Sequence, residues 1–146
     1  MRSNHPEERP NHLAMGAHLV ARLRAEINSV RQIEQRGEMD DLVNGNQISP
    51  ALYVIYQRDL LPSDSQSADA NNLIQQCWLV VTVMQGNRAD AFDKAGQLLA
   101  RVRAAVLGWT PDFSLYGVLK AATPPPALYE NSHGYYPLLF VTDFYA

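Results

Sequence analysis

A single cysteine, Cys77, is all the thiol chemistry the chain can offer, so an intrachain disulfide and a cysteine-built zinc site are excluded by count. Long apolar runs are missing too. None approaches the roughly 20 residues that a membrane helix requires. The opening residues, Met1 to Pro10, are polar and lack the apolar centre of a secretory leader. The expected setting is therefore the cytoplasm, or a particle assembled there. Basic excess is also absent, because 12 Lys and Arg stand against 15 Asp and Glu, for a net charge of −3. A broad phosphate-binding surface is not indicated.

Catalytic signatures are equally scarce. The four histidines, His5, His12, His18 and His133, show neither His-x-x-x-His nor His-Glu-x-x-His spacing. Ser63-Asp64-Ser65 lacks the glycine-flanked elbow that exposes a nucleophilic serine, and no glycine-rich phosphate loop occurs. Glu38, Asp40 and Asp41 form an acidic cluster. They lie in a polar turn between Gly37 and Asn44-Gly45, which gives no sign of the burial that an acid–base pair needs. No enzyme, cofactor or metal is expected.

Apolar material is plentiful at 47% of residues, enough for a core in a chain of 146 residues. Residues 1–10 read as an arm and 11–146 as one domain. Asn11 is a plausible N-cap for a helix reaching about Ile27, with Leu13, Val20, Leu23 and Ile27 on one face. Val30–Glu34 suggests a short strand, and Glu38–Val43 a helical turn. Ala51–Gln57 and Leu73–Met84 read as strands that pair across a polar loop, residues 62–72, whose length suggests a partner-gripping role. Asp64 and Asp69 in that loop are interface candidates.

The strongest helix signal spans about 88–107. Phe92, Ala95, Leu99, Val102 and Val106 recur with helical period, and Gly108 with Pro111 ends the run. On this reading Leu99→Ala costs about 2–5 kcal/mol. Short antiparallel strands are expected at 113–119, 127–130 and 136–145. The order predicts an α+β fold in which two helices pack on one face of an antiparallel sheet. Tyr135-Tyr136 and Phe144-Tyr145 each place one ring on either face of a strand, so one ring enters the core and the other is available to a partner. Trp109 follows a helix end and joins them as an interface candidate. Cys77 reads as a buried, inert thiol.

The segment Gly96–Pro111, with its Leu107-Gly108-Trp109-Thr110-Pro111 helix stop, resembles the tail terminator proteins of long-tailed bacteriophages. The pattern continues in Leu115-Tyr116-Gly117-Val118 and in the aromatic strand Tyr135–Tyr145, and Pro50–Val54 matches the first central strand. The resemblance covers about 11–146, and best 88–146. Asn131-Ser132-His133-Gly134 departs from the family's commoner run into aromatics. The resemblance implies a structural virion protein: a homo-oligomer, expected to be a ring of six. It would cap the tail tube, stop its polymerisation and meet the head–tail connector protein. Such a ring needs heterologous contacts. DNA would pass through its lumen without specific binding, and Glu38, Asp40 and Asp41 are candidates to line it. The competing readings are another head–tail connector or tail tube component, and a small enzyme or ligand-binding domain.

Overall fold

The computed structural model describes residues 9–45, 48–61, 73–86 and 88–146. Along these the order is α1 (Met15–Glu26), β1 (Gln32–Arg36), α2 (Met39–Asn44), β2 (Ala51–Leu60), β3 (Leu73–Gln85), α3 (Ala89–Val106), β4 (Lys120–Ala122), β5 (Leu128–Glu130) and β6 (His133–Tyr145). The loop expected at 62–72, with Asp64 and Asp69, lies outside the described residues, as do residues 1–8 of the arm.

Helix α1 is approached through a turn at Asn11. Its side-chain oxygen accepts the Leu13 N–H at 3.0 Å, and its carbonyl accepts the Ala14 N–H at 3.2 Å. Asn11 therefore caps the lead-in turn and not the helix itself, which begins four residues later. The buried residues of α1 are Met15, Gly16, Leu19 and Leu23, with Ile27 just beyond. Leu13 stays exposed. Arg24 ties the helix to β1, donating from Nε and Nη2 to the Ile33 carbonyl.

The strands form a six-stranded sheet in the order β1-β2-β3-β6-β4, and β5 also pairs with β6. Pairing is antiparallel except at β1–β2, which is parallel. The sheet is thus mixed, because the α2 crossover returns the chain in the direction of β1. Register is continuous across the centre: Val80 lies opposite Val54 on one side and Leu138 on the other. Residues 113–119, expected as a strand, instead form turns with one isolated bridge, Tyr116 to Phe144. Asn131 and Ser132 both take positive φ, 53° and 64°, which makes the tight two-residue turn of the β5–β6 hairpin.

The α+β class stands, with a third helix. Alternation along the strands separates two apolar clusters. Leu52, Val54, Trp78, Val80, Phe140 and Phe144 pack with α1 and α3. Ala51, Tyr53, Ile55, Leu79, Val81 and Tyr135 pack with Leu42 and Val43 of α2. A bulge in β2 between Tyr56 and Arg58 interrupts that alternation. Beyond it Asp59 lies opposite Gln76 and Leu60 opposite Gln75, so the two are turned to faces opposite to those simple alternation assigns them.

The buried stripe of α3 is Ala91, Ala95, Leu98, Val102, Ala105 and Val106. This corrects the expected face at two positions. Phe92 is 53% exposed, and Leu99 is only partly buried, at the margin of the stripe. The small residues Ala91, Ala95 and Ala105 set the centre of contact, and bulk at a flanking position does not pull the helix round. Leu98→Ala should therefore cost about 2–5 kcal/mol in denaturant unfolding, and Leu99→Ala less than half as much. Equal losses would contradict the placement of the stripe.

Candidate assembly surfaces

Strand β6 runs the length of the sheet and presents different surfaces at its two ends. At its start, Tyr135 is wholly buried and Tyr136 is partly exposed. Gly134 lets the Tyr136 ring lie across the backbone, because a Cβ there would come within 2.6 Å of the Tyr136 hydroxyl. At its end, Phe144 is wholly buried and Tyr145 is 43% exposed. Tyr135 and Phe144 thus leave the set of interface candidates, since each fills the core on its own face. Tyr136 and Tyr145 remain.

Trp109 is held by its own chain. Gly108, at φ 79°, takes the left-handed conformation that ends α3, and its N–H reaches the Leu119 carbonyl at 2.8 Å. Trp109 in turn exchanges backbone contact with Leu119, whose N–H meets its carbonyl at 2.9 Å. The Arg22 guanidinium lies 5.4 Å from the indole centroid, and its Nε donates to the Ala105 carbonyl at 2.9 Å. The Leu-Gly-Trp stop therefore locks α1 to the C-terminal end of α3.

Two apolar hollows lie toward opposite ends of β6. One, about 340 Å³, is lined by Phe92, Ala127, Leu128, Tyr129 and Tyr136. The other, about 270 Å³, is lined by Leu60, Leu61, Leu73, Gln75 and Asp143. Tyr145 lies directly opposite Leu73 in the sheet. Leu60 and Leu61 are exposed here, and the β2 bulge is what turns Leu60 to this face. A third feature stands clear of both. Phe113 is 84% exposed, more than any other large apolar residue described. Sequence reading missed it by assigning it to a strand, although Pro111-Asp112 before it is a turn signal.

The acidic cluster lies elsewhere. Glu38, Asp40 and Asp41 are exposed at the start of α2. Asp41 shares a cleft with Arg36, which donates to Glu34 at 2.5 Å and lies 5.0 Å from the Tyr53 ring centroid. That hydrogen bond, seconded by one from Gln32, holds the Glu34 carboxyl below its ordinary pKa. The histidines do not converge. His12 meets Asp59 at 2.6 Å, His18 packs edge-on to Tyr116, and His133 contacts the Asn131 carbonyl. His5 lies outside the described residues. Among the described residues no group of His, Cys, Asp or Glu could hold a metal ion, and no helix is long and apolar enough to cross a membrane. Cys77 is buried, and burial pushes its thiol pKa up, away from reactivity.

The two hollows leave apolar side chains uncovered toward opposite ends of β6. The model of the phage tail terminator protein family matches residues 11–146, and the chain belongs to that family, a structural family of the phage virion tail. No curated protein matches the chain at a significant level.

The Tyr145 end of the sheet depends on a buried polar relay. Gln76, wholly buried, accepts the Trp78 indole N–H at 3.0 Å and donates to the His12 carbonyl at 2.7 Å. The His12 ring packs edge-on to Phe144, and Tyr116 stacks on Phe144 at 5.1 Å between centroids. Gln76→Leu leaves the indole N–H and the carbonyl without these partners. It should lower stability by about 1–3 kcal/mol, read from tryptophan-fluorescence unfolding. An unchanged midpoint would show that the relay contributes nothing net.

Proposed function

We propose that this chain is the terminator of a phage tail: copies of it close into a ring of six, seat on the last ring of the tail tube, stop further addition and meet the head–tail connector. Assembly takes place in the host cytoplasm. Family membership across residues 11–146 is the observation that carries this reading. The two separate apolar hollows support it, since a closed ring needs unlike patches on two sides of each subunit. The mechanism is occlusion. The ring binds the surface that the next tube subunit would need and offers none in return, so no chemical step is required.

Tails assembled without this chain should overrun their normal length and fail to join heads, as seen by electron microscopy. Tails of normal length joined to heads in its absence would overturn the proposal. Tyr145→Ala should weaken ring association by about 2 kcal/mol or more, while moving the unfolding midpoint little, because its ring is half outside the fold. A loss of stability without a loss of association would remove Tyr145 from the interface.

On this reading the lumen that passes DNA is neutral to acidic, and exposed Glu38, Asp40 and Asp41 are proposed to line it. The net charge of −3 supports this, because cationic walls would bind phosphates and slow passage. Filter binding of duplex DNA at low salt should show little retention. Tight, salt-sensitive retention would contradict an acidic lumen.

A further inference from the structure

We propose that Phe113 of one copy inserts into the hollow formed by Phe92, Leu128, Tyr129 and Tyr136 of the next copy, and that this knob and hole form a ring contact. The inference rests on the ring reading above and names one of its interfaces.

Phe113 is not a loose side chain on a loop. Asp112 accepts both the N–H of Ser114 at 2.9 Å and its hydroxyl at 2.6 Å, and the Asp112 carbonyl accepts the N–H groups of Leu115 and Tyr116. The same hydroxyl and N–H bonds hold the Asp112 carboxyl below its ordinary pKa, so it stays charged. Tyr116 is then fixed by its bridge to Phe144. The ring is thus presented, 84% exposed, on a turn whose backbone is already ordered. With the backbone already ordered, docking has only the two side-chain torsions of the ring left to fix, which lowers the cost of association.

The hollow suits it. Its volume of about 340 Å³ exceeds the roughly 150 Å³ in which an apolar cavity holds a benzene ring. Its walls are aromatic and aliphatic. Phe92 is exposed there although it stands on α3, the longest helix among the described residues.

A copy cannot fill its own hollow. The knob is tethered at Phe144 through Tyr116, and the hollow is tethered at Tyr135 through Leu128. Those two β6 positions lie about 30 Å apart at the rise of an extended strand. The three residues from Phe113 to Tyr116 reach at most about 11 Å. Knob and hole on opposite ends of one subunit make a head-to-tail contact, the kind that closes a ring.

Charge favours a second copy as the occupant. Asp112 stands next to the knob, and Arg88 stands one helical turn before Phe92, exposed and without an ion pair among the described residues. Docking brings the acid of one copy toward the base of the next.

Native mass spectrometry of the purified chain across a concentration series, and of tails assembled in its presence, tests the contact. Phe113→Ala should weaken association at least about 30-fold and leave the unfolding midpoint unchanged, with Phe113→Leu retaining most of the association. Asp112→Asn keeps the acceptor for Ser114 and removes the charge. It and Arg88→Glu should each weaken association. If the wild type forms rings and Phe113→Ala forms them equally well, this contact is wrong and the ring reading stands. If Phe113→Ala rings close normally but no longer hold to tubes, Phe113 serves the tube and the proposal again fails. A wild type that is never multimeric, free or on tails, would overturn both.

Discussion

From Ile74 to Met84, every residue of β3 except Gln75 is buried, so the central strand has no side to show to water. A strand of this kind demands cover on both faces and a neighbour on each edge. β2 and β6 supply the edges. The α1–α3 layer covers Trp78 and Val80, while Leu42 and Val43 of α2 join the cluster around Leu79 and Val81. The short helix is therefore not incidental. Without it, Tyr53 and Val83 would lose apolar neighbours on the face that the long helices cannot reach. The same crossover makes the β1–β2 pair parallel.

The layout of the surface follows from that demand. Because β6 is long, its two ends emerge at opposite sides of the domain: at one, Tyr135 is buried and Tyr136 lies partly exposed against the α1–α3 cluster, and at the other, Phe144 is buried and Tyr145 is 43% exposed. Tyr135 and Phe144 are spent on the core. Tyr136 and Tyr145 stand beside apolar hollows. The β2 bulge adds to one of these, since it turns Leu60 toward Tyr145's face and Asp59 toward His12. Placing one extra residue in a strand thus builds both an exposed apolar patch and a polar anchor under it.

Much of the fold was legible in the residues themselves. The strands at 51 and 73, the amphipathic helix near 88–107 and the glycine stop after it follow from periodicity and turn chemistry, which are local. The resemblance carried by Leu107–Pro111 and Tyr135–Tyr145 pointed to the family that the comparison then showed. The surface was less legible. Period alone marked Phe92 and Leu99 as core, but periodicity defines a stripe only to within about one residue on a helix circumference, and the small alanines decided where the sheet touches. Phe113 was invisible as a knob because its flanking Asp112 and Ser114 act through hydrogen bonds that only the folded turn forms.

By itself the sequence determined the α+β class, the exclusion of an intrachain disulfide, the principal helices and strands, and the placing of each aromatic pair's two rings on opposite faces of β6, because all of these depend on composition or on neighbours within a few positions. Tertiary structure decided which member of each pair went in, which face of α3 met the sheet, the parallel pairing of β1, and the flip of Asp59 and Leu60 across a bulge. Each of those is a choice between near-equal local options, and only packing against residues distant in the chain separates them.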